Sequence, residues 1–330
     1  MVKVQKRLSN FVEWIATESE KEDDIREQSN KIRERISVKA KEDGITVKST
    51  PNAGSFAKRT GLRRHLRGHS VVEGQDVDLP FVISRPKDET LDDLLDRFLG
   101  YAKASYPKNT KEPPTKSSVK LEFLNSKLSY DLVPMIATED NNRQIIMRSN
   151  GEEFETSVQG HIAFIKDRTK DSKSISGRVE FNECVRLLKW WKEFRVDESD
   201  IFDEVPSIVI ELICGKLYDL LGVEYTYADT LAKWFGQAAH LVHHRKPIYF
   251  NNDFSSNGDN WEVIDSQNSS NNIVAKWSGL EIDEFAEWFE QGRDLCNKLV
   301  RQDMFDDKTG SLDTLVQLFG TPIKHHSSEE

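Results

Sequence analysis

The chain has 330 residues, of which 37% are hydrophobic and 31% charged, and its formal net charge is −10. That length holds two ordinary domains or one two-lobed enzyme, and the acidic balance argues against sequence-independent binding to duplex DNA. Cys184, Cys214 and Cys296 are far apart and form no Cys-x-x-Cys pair, so they read as buried free thiols in a reducing cytosol, with no zinc site.

The N-terminus lacks a charged-then-apolar leader pattern, and no apolar run approaches the length needed to span a bilayer, which predicts a soluble cytoplasmic protein with no membrane partner. Residues 8–40 read as one or two helices, because Phe11, Trp14, Ile15, Ile25, Ile32 and Ile36 recur at helical spacing. Residues 1–43 are therefore expected to brace a domain that begins at Gly44. Ile45 to Val47 starts a strand, and Gly54-Ser55 interrupts it with a tight turn. Residues 58–67 are strongly basic. Asp76 to Ile83 is rich in β formers and reads as a strand. Thr90 to Ala104 is a helix with acidic residues in its first turn, and 108–116 is an exposed loop. Val119 to Phe123 and Leu128 to Ile136 read as strands joined by a turn at Asn125-Ser126. Ile145 to Arg148 and Phe154 to Thr156 flank a hairpin turn at 149–151.

From there the pattern turns helical, over Val158 to Thr169, Phe181 to Phe194, Pro206 to Leu221, Tyr227 to Val242 and Leu280 to Gln302. Between the last two, 251–260 and 266–272 read as loops around an extended piece at Trp261 to Ile264. Residues 324–330 read as a disordered tail. The expected architecture is α+β: a catalytic lobe with a mixed sheet over 44–156, a helical lobe over 157–323, and substrate in the cleft between lobes.

The chemistry-bearing residues fall in the first lobe. Asp76 and Asp78 are two apart on a predicted strand and so share a face. Two carboxylates on one face repel unless a cation sits between them, and Mg²⁺, a hard ion held by carboxylates and substrate phosphates, suits the place. Asp131 sits on another predicted strand among apolar neighbours, where a carboxylate needs a partner. With its strand beside that of Asp76, three carboxylates would hold two ions roughly 4 Å apart. Gly54 would let backbone N–H groups approach a triphosphate, Ser55 adds a hydroxyl, and Lys58 and Thr60 are placed to assist. Taken singly these signals are weak: Asp-x-Asp also occurs at solvated strand edges, and Gly-Ser is often only a turn.

Together, the Gly54-Ser55, Asp76-x-Asp78 and Asp131 set resembles that of polymerase-β-like nucleotidyltransferases. More narrowly the chain resembles the bacterial CD-NTases, relatives of cyclic GMP–AMP synthase, DncV and oligoadenylate synthetase that act in cyclic-oligonucleotide antiphage (CBASS) signalling. The likeness runs through 54–62, Asp131-Leu132-Val133-Pro134, Glu155-Thr156-Ser157, 186–191, Ile210-Glu211-Leu212 and 264–275. The helical-lobe motifs look most like the clade paired with HORMA-domain regulators. The resemblance implies an enzyme that condenses nucleoside triphosphates, ATP among them, into a cyclic di- or trinucleotide second messenger and releases pyrophosphate. The alternative is a linear oligoadenylate synthetase or another template-independent nucleotidyltransferase. It implies that Asp76, Asp78 and Asp131 hold two Mg²⁺ ions, with Mn²⁺ able to substitute, and that Asp131 helps deprotonate the acceptor hydroxyl. It also implies that Ser55, Lys189 and Ser207 hold phosphates, that a HORMA-domain protein activates the enzyme, and that a cyclic-nucleotide effector acts downstream. Two stretches depart from the family pattern: the long loop between Ser55 and Asp76, and Asp265-Ser266-Gln267-Asn268.

Other readings stay open. The basic run 58–67 grips phosphates or an activating ligand, or is a solvated loop. His240, His243 and His244 read as a surface helix end rather than a metal site. His161 either reads a base or packs in the protein, and Trp190 and Trp191 read as core.

Overall fold

The computed structural model describes the chain except residues 1–2, 64, 68–69, 73–75, 88, 148–150, 253, 257, 259 and 328–330; for 19–20, 65–67, 70–72, 76 and 204 it describes the backbone alone. The N-terminal half holds α1 (Lys3–Trp14), α2 (Ser19–Glu42), β1 (Val47–Ser49), α3 (Gly54–Lys58), β2 (His65–Arg67), β3 (Ser70–Val72), β4 (Asp76–Ile83) and α4 (Leu91–Ser105). Next come β5 (Val119–Phe123), β6 (Leu128–Ala137), β7 (Gln144–Met147), β8 (Glu153–Thr156) and α5 (Val158–Ser176). The remainder is α6 (Phe181–Arg195), α7 (Ile201–Glu204), α8 (Ser207–Leu221), α9 (Tyr227–His243), β9 (Ile264–Asp265), β10 (Asn268–Asn272), α10 (Gly279–Met304), α11 (Lys308–Phe319) and α12 (Pro322–His326). No described helix is long and apolar enough to cross a membrane.

The chain divides into two compact units. A sheet unit comprises 17–65 and 72–163, and a helical unit comprises 1–16, 66–71 and 164–330. The N-terminal segment, read above as one brace, is two helices that belong to different units: α1 to the helical unit and α2 to the sheet unit.

The sheet unit is built on a mixed sheet in the order β1-β4-β6-β7-β8. β4 pairs antiparallel with β1 and parallel with β6, while β5 and β7 pair antiparallel with different parts of the far edge of β6. Strand alternation separates two faces. Val77, Leu79, Phe81 and Ile83 of β4 and Tyr130, Leu132 and Ile136 of β6 join the larger core, which also takes Ile25, Ile32 and Ile36 of α2 and Leu91, Leu94, Leu95 and Phe98 of α4. Each of those aliphatic side chains contributes about 1.5–3 kcal/mol by leaving water. The other face carries Asp78, Asp131 and a smaller cluster of Val82, Met135 and Val158. α4 starts at a capping box, in which Thr90 and Asp93 each bond the other's backbone N–H. α2 and α4 are tied at one end by Asp43, whose carboxylate accepts from Arg97 Nε at 2.8 Å and Tyr101 OH at 2.5 Å.

The helical unit packs around aromatic residues. Trp191 is fully buried, with Phe235 at 5.0 Å and Phe289 at 5.4 Å. Trp190 is also core, and its indole donates to Phe319 O at 2.9 Å while Phe11 of α1 meets it edge-on. All three cysteines are buried free thiols. His240, His243 and His244 form an exposed cluster with edge-on ring contacts at the end of α9.

Several expectations need correction. Gly54-Ser55 opens a short helix, α3, rather than a simple turn. Within the long loop between Ser55 and Asp76, β2 and β3 pair as a two-stranded ribbon. Residues 268–272, read as loop, form β10 against β9, because Asn268 and Asn272 pair with Asp265 and Ile264. Of the tail read as disordered, 324–327 are placed: α12 is held by buried Ile323 and Ser327 and by His326 stacked on Trp14 at 3.9 Å, while 328–330 lie outside the described residues. Composition alone misses such a segment, because its few apolar atoms matter only through their partners.

Candidate active site

The carboxylates meet because of strand register. β4 and β6 run parallel with Asp78 directly beside Asp131, and Asp76 beside Ser129. Neighbouring strands lie about 4.8 Å apart, so paired residues present side chains to the same face. Asp78 and Asp131 are both half-buried on that face. The alternation of β4 assigns position 76 to it as well, although the side chain of Asp76 lies outside the described residues. Among the described side chains no three His, Cys, Asp or Glu residues gather as a metal cluster.

Two residues beside Asp131 were not singled out from the sequence. Ser118 Oγ donates to Asp131 Oδ1 at 2.8 Å, and Ser118 is itself fixed by Thr115, whose Oγ1 accepts from its backbone N–H at 3.0 Å. Lys120 is the register partner of Asp131 across the antiparallel β5–β6 pair. Residues directly opposite in such a pair share a face. The row Asp78, Asp131, Lys120 therefore crosses three strands. Neither residue had a local signal: Ser118 is one of two adjacent serines just before β5, and Lys120 acquires meaning only once β5 is aligned on β6.

Gly54 explains how the opening of α3 reaches the carboxylates. Its φ is +67°, a left-handed conformation that L side chains rarely adopt. A Cβ at this position would fall 1.9 Å from Asp78 Oδ2 and 2.9 Å from its Cγ. The backbone thus lies directly against the Asp78 carboxylate, and only glycine allows that approach. Ser55 follows, half-buried, in the first turn, where backbone N–H groups lack intrahelical partners. Lys58 ends α3, and Arg59 caps it at φ 56°. Thr60 is fully buried, and its N–H closes the turn on Ser55 O at 3.0 Å. The structure thus gives Thr60 a place under α3 rather than on an accessible surface. In the basic run, Arg63 pairs with Glu18, Arg64 lies outside the described residues, and His65 and Arg67 are described by backbone alone. His161 is half-buried, with Nε2 3.3 Å from Thr156 Oγ1.

Lys189 and Ser207 belong to the helical unit. Ser207 is exposed at the start of α8. Lys189, on α6, is buried, and its Nζ donates to Glu211 Oε1 at 2.6 Å, with both side chains 5% exposed. Glu211 lies one helical turn after Ser207 and so shares its face. In this state the ammonium of Lys189 is committed to Glu211.

The sheet unit also contains a polar cavity of about 360 Å³. Its wall is one side of α2 with Arg26 and Arg33, the 50–53 loop, Phe56 of α3 and the start of β4, where Asp78 reaches it.

Comparison with known proteins agrees with this geometry. Residues 2–168 match the Second Messenger Oligonucleotide or Dinucleotide Synthetase (SMODS) domain family. The CBASS oligonucleotide cyclase CdnC of Escherichia coli strain KTE188 is 30% identical over 187 residues, which are 55% of this chain and 54% of that protein. The chain thus spans about half the length of the curated relatives it matches. CdnC of E. coli MS115-1, solved in complex with HORMA-deltaN, superposes with a TM-score of 0.76 at 26% identity, over 96% of this chain and 97% of that one. The CD-NTase CdnG of Bradyrhizobium diazoefficiens, solved with GTP, shares the fold, with a TM-score of 0.73 at 14% identity over 98% and 97% of the two chains. With the paired aspartates and the glycine set against them inside the matched region, the chain belongs to the SMODS family of second-messenger oligonucleotide or dinucleotide synthetases.

Proposed function

We propose that this protein is a template-independent nucleotidyltransferase that joins nucleoside triphosphates, ATP among them, into a cyclic di- or trinucleotide for CBASS antiphage defence. The observation that carries the reading is the parallel register of Asp78 and Asp131 with the Gly54 backbone against Asp78. In the reaction, a ribose hydroxyl of the acceptor attacks the donor α-phosphorus, a P–O bond forms, and the bond to pyrophosphate breaks. A second attack within the linear intermediate closes the ring.

The residues present fit a magnesium site, since carboxylates on one strand face supply the hard oxygen donors that this ion takes. Asp76, Asp78 and Asp131 would hold two Mg²⁺ ions, for which Mn²⁺ can substitute. Bound there, the metal neutralises phosphate charge and increases the acidity of the attacking hydroxyl. Asp131 accepts the hydroxyl proton. Ser118 fixes the orientation of that carboxylate, and Lys120 places a positive charge on its other side. Gly54 keeps Cβ atoms out of the phosphate approach, and Ser55 donates its hydroxyl to the donor triphosphate, with Lys58 at the other end of the same helix. Lys189 and Ser207 hold phosphates from the helical unit once the Lys189–Glu211 pair opens.

This assigns catalysis to a lobe over 44–156 and phosphate gripping to a helical lobe over 157–323, with residues 1–43 as a brace. The protein works in the cytoplasm. Its partners are a HORMA-domain activator, by analogy with the CdnC of E. coli MS115-1 solved with HORMA-deltaN, and an effector that reads the cyclic product. Incubation with all four nucleoside triphosphates and Mg²⁺, followed by mass analysis before and after phosphatase treatment, tests the reading. A phosphatase-resistant cyclic product that disappears in Asp78→Asn is the expected result. Synthesis undiminished in Asp78→Asn refutes the site.

A further inference from the structure

Lys189 stands apart from the other basic residues of α6. Arg186, Lys189, Lys192 and Arg195 are all buried. Arg186, Lys192 and Arg195 each meet a carboxylate within three residues along the chain: Glu183 at 3.4 Å, Glu193 at 3.1 Å and Glu198 at 3.2 Å. Such contacts are local to one stretch of chain. The carboxylate at Lys189 comes from another helix: Glu211 of α8, 22 positions further along, accepts from Nζ at 2.6 Å. That pair exists only while α6 and α8 are packed together.

The surroundings of the pair are apolar. Leu187, Leu188, Trp190 and Trp191 are buried beside Lys189 in the chain, and Ile210 and Leu212 beside Glu211. An ion pair among such side chains adds little stability over an apolar pair of the same volume, but removing one partner leaves a costly unpaired charge. Stability therefore does not account for a charge pair at this position. α8 supplies a second place for an anion. Ser207 is exposed at its start, and the first turn has no acidic residue. Backbone N–H groups there favour an anion. From Ser207 to Glu211 the helix rises about 6 Å, a distance that the flexible four-carbon stem of a lysine covers by changing rotamer. One ammonium thus has two anion positions on one face of α8: the Glu211 carboxylate, which it occupies in this structure, and the start of the helix.

We propose that Glu211 is an autoinhibitory anion, a built-in stand-in for phosphate that holds Lys189 until a nucleotide phosphate at the start of α8 displaces it. The inference rests on the nucleotidyl-transfer reading, which puts a phosphate there, and adds the competitor that this phosphate must displace. The carboxylate opposes nucleotide binding in two ways. It keeps the ammonium away from the phosphate, and from one turn behind it repels the incoming negative charge. Binding through a lysine that is free in only a fraction of the molecules is weakened by that fraction. A pair formed in about nine molecules of ten lowers triphosphate affinity about tenfold, and synthesis then starts only at a correspondingly higher nucleotide concentration. No covalent bond changes in the switch; the ammonium exchanges one oxyanion for another.

The test is calorimetric titration of α,β-methylene-ATP with Mg²⁺ into the full chain, since this analogue binds as a triphosphate and cannot release pyrophosphate. Glu211→Gln keeps an acceptor beside Lys189 and removes the charge. It is expected to bind the analogue about tenfold more tightly, and to lower KM for ATP by the same factor with kcat nearly constant. Lys189→Met added to Glu211→Gln is expected to erase that gain. Without nucleotide, Lys189 is expected to resist reductive methylation in wild type, read by peptide mass, and to react faster in Glu211→Gln. Glu211→Asp, which keeps the charge but draws it back by one methylene, is expected to tighten binding to a lesser degree, and it carries the test if Glu211→Gln does not fold. Analogue binding no tighter in the folded Glu211 variants than in wild type overturns the proposal. A gain that survives Lys189→Met also overturns it, because the carboxylate then acts on the ligand without the lysine. Equal methylation of Lys189 in wild type and Glu211→Gln overturns it as well. If wild type forms cyclic product and the Glu211 variants bind the analogue no tighter, the autoinhibitory contact fails and the enzyme reading stands. If Glu211→Gln gains affinity through Lys189 but neither protein transfers nucleotide, the contact stands and the enzyme reading fails.

Discussion

Replacing Gly54 by alanine separates the chemistry of this site from its stability. Two costs follow from the structure. A φ of +67° is unfavourable for an L residue by about 1–2 kcal/mol. The new Cβ would also stand 1.9 Å from Asp78 Oδ2, 2.9 Å from Cγ and 3.2 Å from Cβ. The carboxylate must then swing away, at about 0.5–1.5 kcal/mol for an off-rotamer side chain. The sum, roughly 1.5–3.5 kcal/mol, lowers the melting temperature by about 2–5 °C, because a chain of 330 residues unfolds with an entropy of about 0.7 kcal/mol/K. The effect on rate is larger, because an ångström of misplacement in a catalytic group costs on the order of 100-fold. The assay is thermal denaturation alongside pyrophosphate release in Gly54→Ala, Asp78→Ala and the double variant. Asp78→Ala removes Oδ2 and Cγ and leaves the contact at 3.2 Å, so in that background Gly54→Ala should cost only the φ term. A coupling of about 0.5–1.5 kcal/mol between the two positions is therefore expected. Gly54→Ala at full rate, or a cycle that adds without coupling, would refute the close approach of backbone and carboxylate.

Three further outcomes are expected. Ser118→Ala removes a hydrogen bond to a charged acceptor, worth about 1.5–3 kcal/mol; kcat should drop about tenfold or more with KM nearly constant, and Ser118→Thr should restore it, so an unchanged kcat would remove Ser118 from the mechanism. Lys189→Met strands the buried Glu211 carboxylate and should cost about 3–5 kcal/mol by chemical denaturation, while Lys189→Met with Glu211→Leu should recover most of that loss; equal losses in both variants would contradict a buried pair. Asp43 is held below the usual carboxylate range, first by its hydrogen bond from Arg97 and then by that from Tyr101. A depressed folded pKa stabilises above the unfolded value, near 3.9, and that contribution is lost as pH falls through the folded value. Asp43→Asn should therefore flatten the acid side of the melting-temperature profile below about pH 4, and a profile parallel to wild type would show that Asp43 carries none of it.

How much could be read from sequence differs from element to element. α4 was legible because its signals are local: Thr90 followed by the acidic first turn of Asp92 and Asp93, where the structure then shows a capping box, all at one helix end. β4 and β6 were legible for the same reason, since alternation is a property of each strand by itself. α3 was missed because five residues carry too little periodicity, and its glycine serves both as a turn residue and as the contact with Asp78. β10 was missed because its sequence, Asn268 to Asn272, has no β-forming side chains and is held by its partner strand. Lys189 shows the opposite failure: a motif identified the residue, but only the packing of α6 on α8 shows that its ammonium is paired with Glu211.

The sequence by itself determined the order of the longer helices and of most strands of the main sheet, the residue types capable of holding phosphate and metal, and the family, because each rests on short contiguous patterns. Tertiary structure decided the rest. The register that sets Asp78 beside Asp131, the placement of Ser118 and Lys120 around that pair, the Gly54 backbone against Asp78 and the arginine-lined cavity all join residues that are distant in the chain. A one-residue slip of β6 against β4 would keep every local pattern and turn Asp131 to the opposite face. What forbids the slip is the burial of Tyr130, Leu132 and Ile136 against α2 and α4, a property of the assembled core that no single stretch contains.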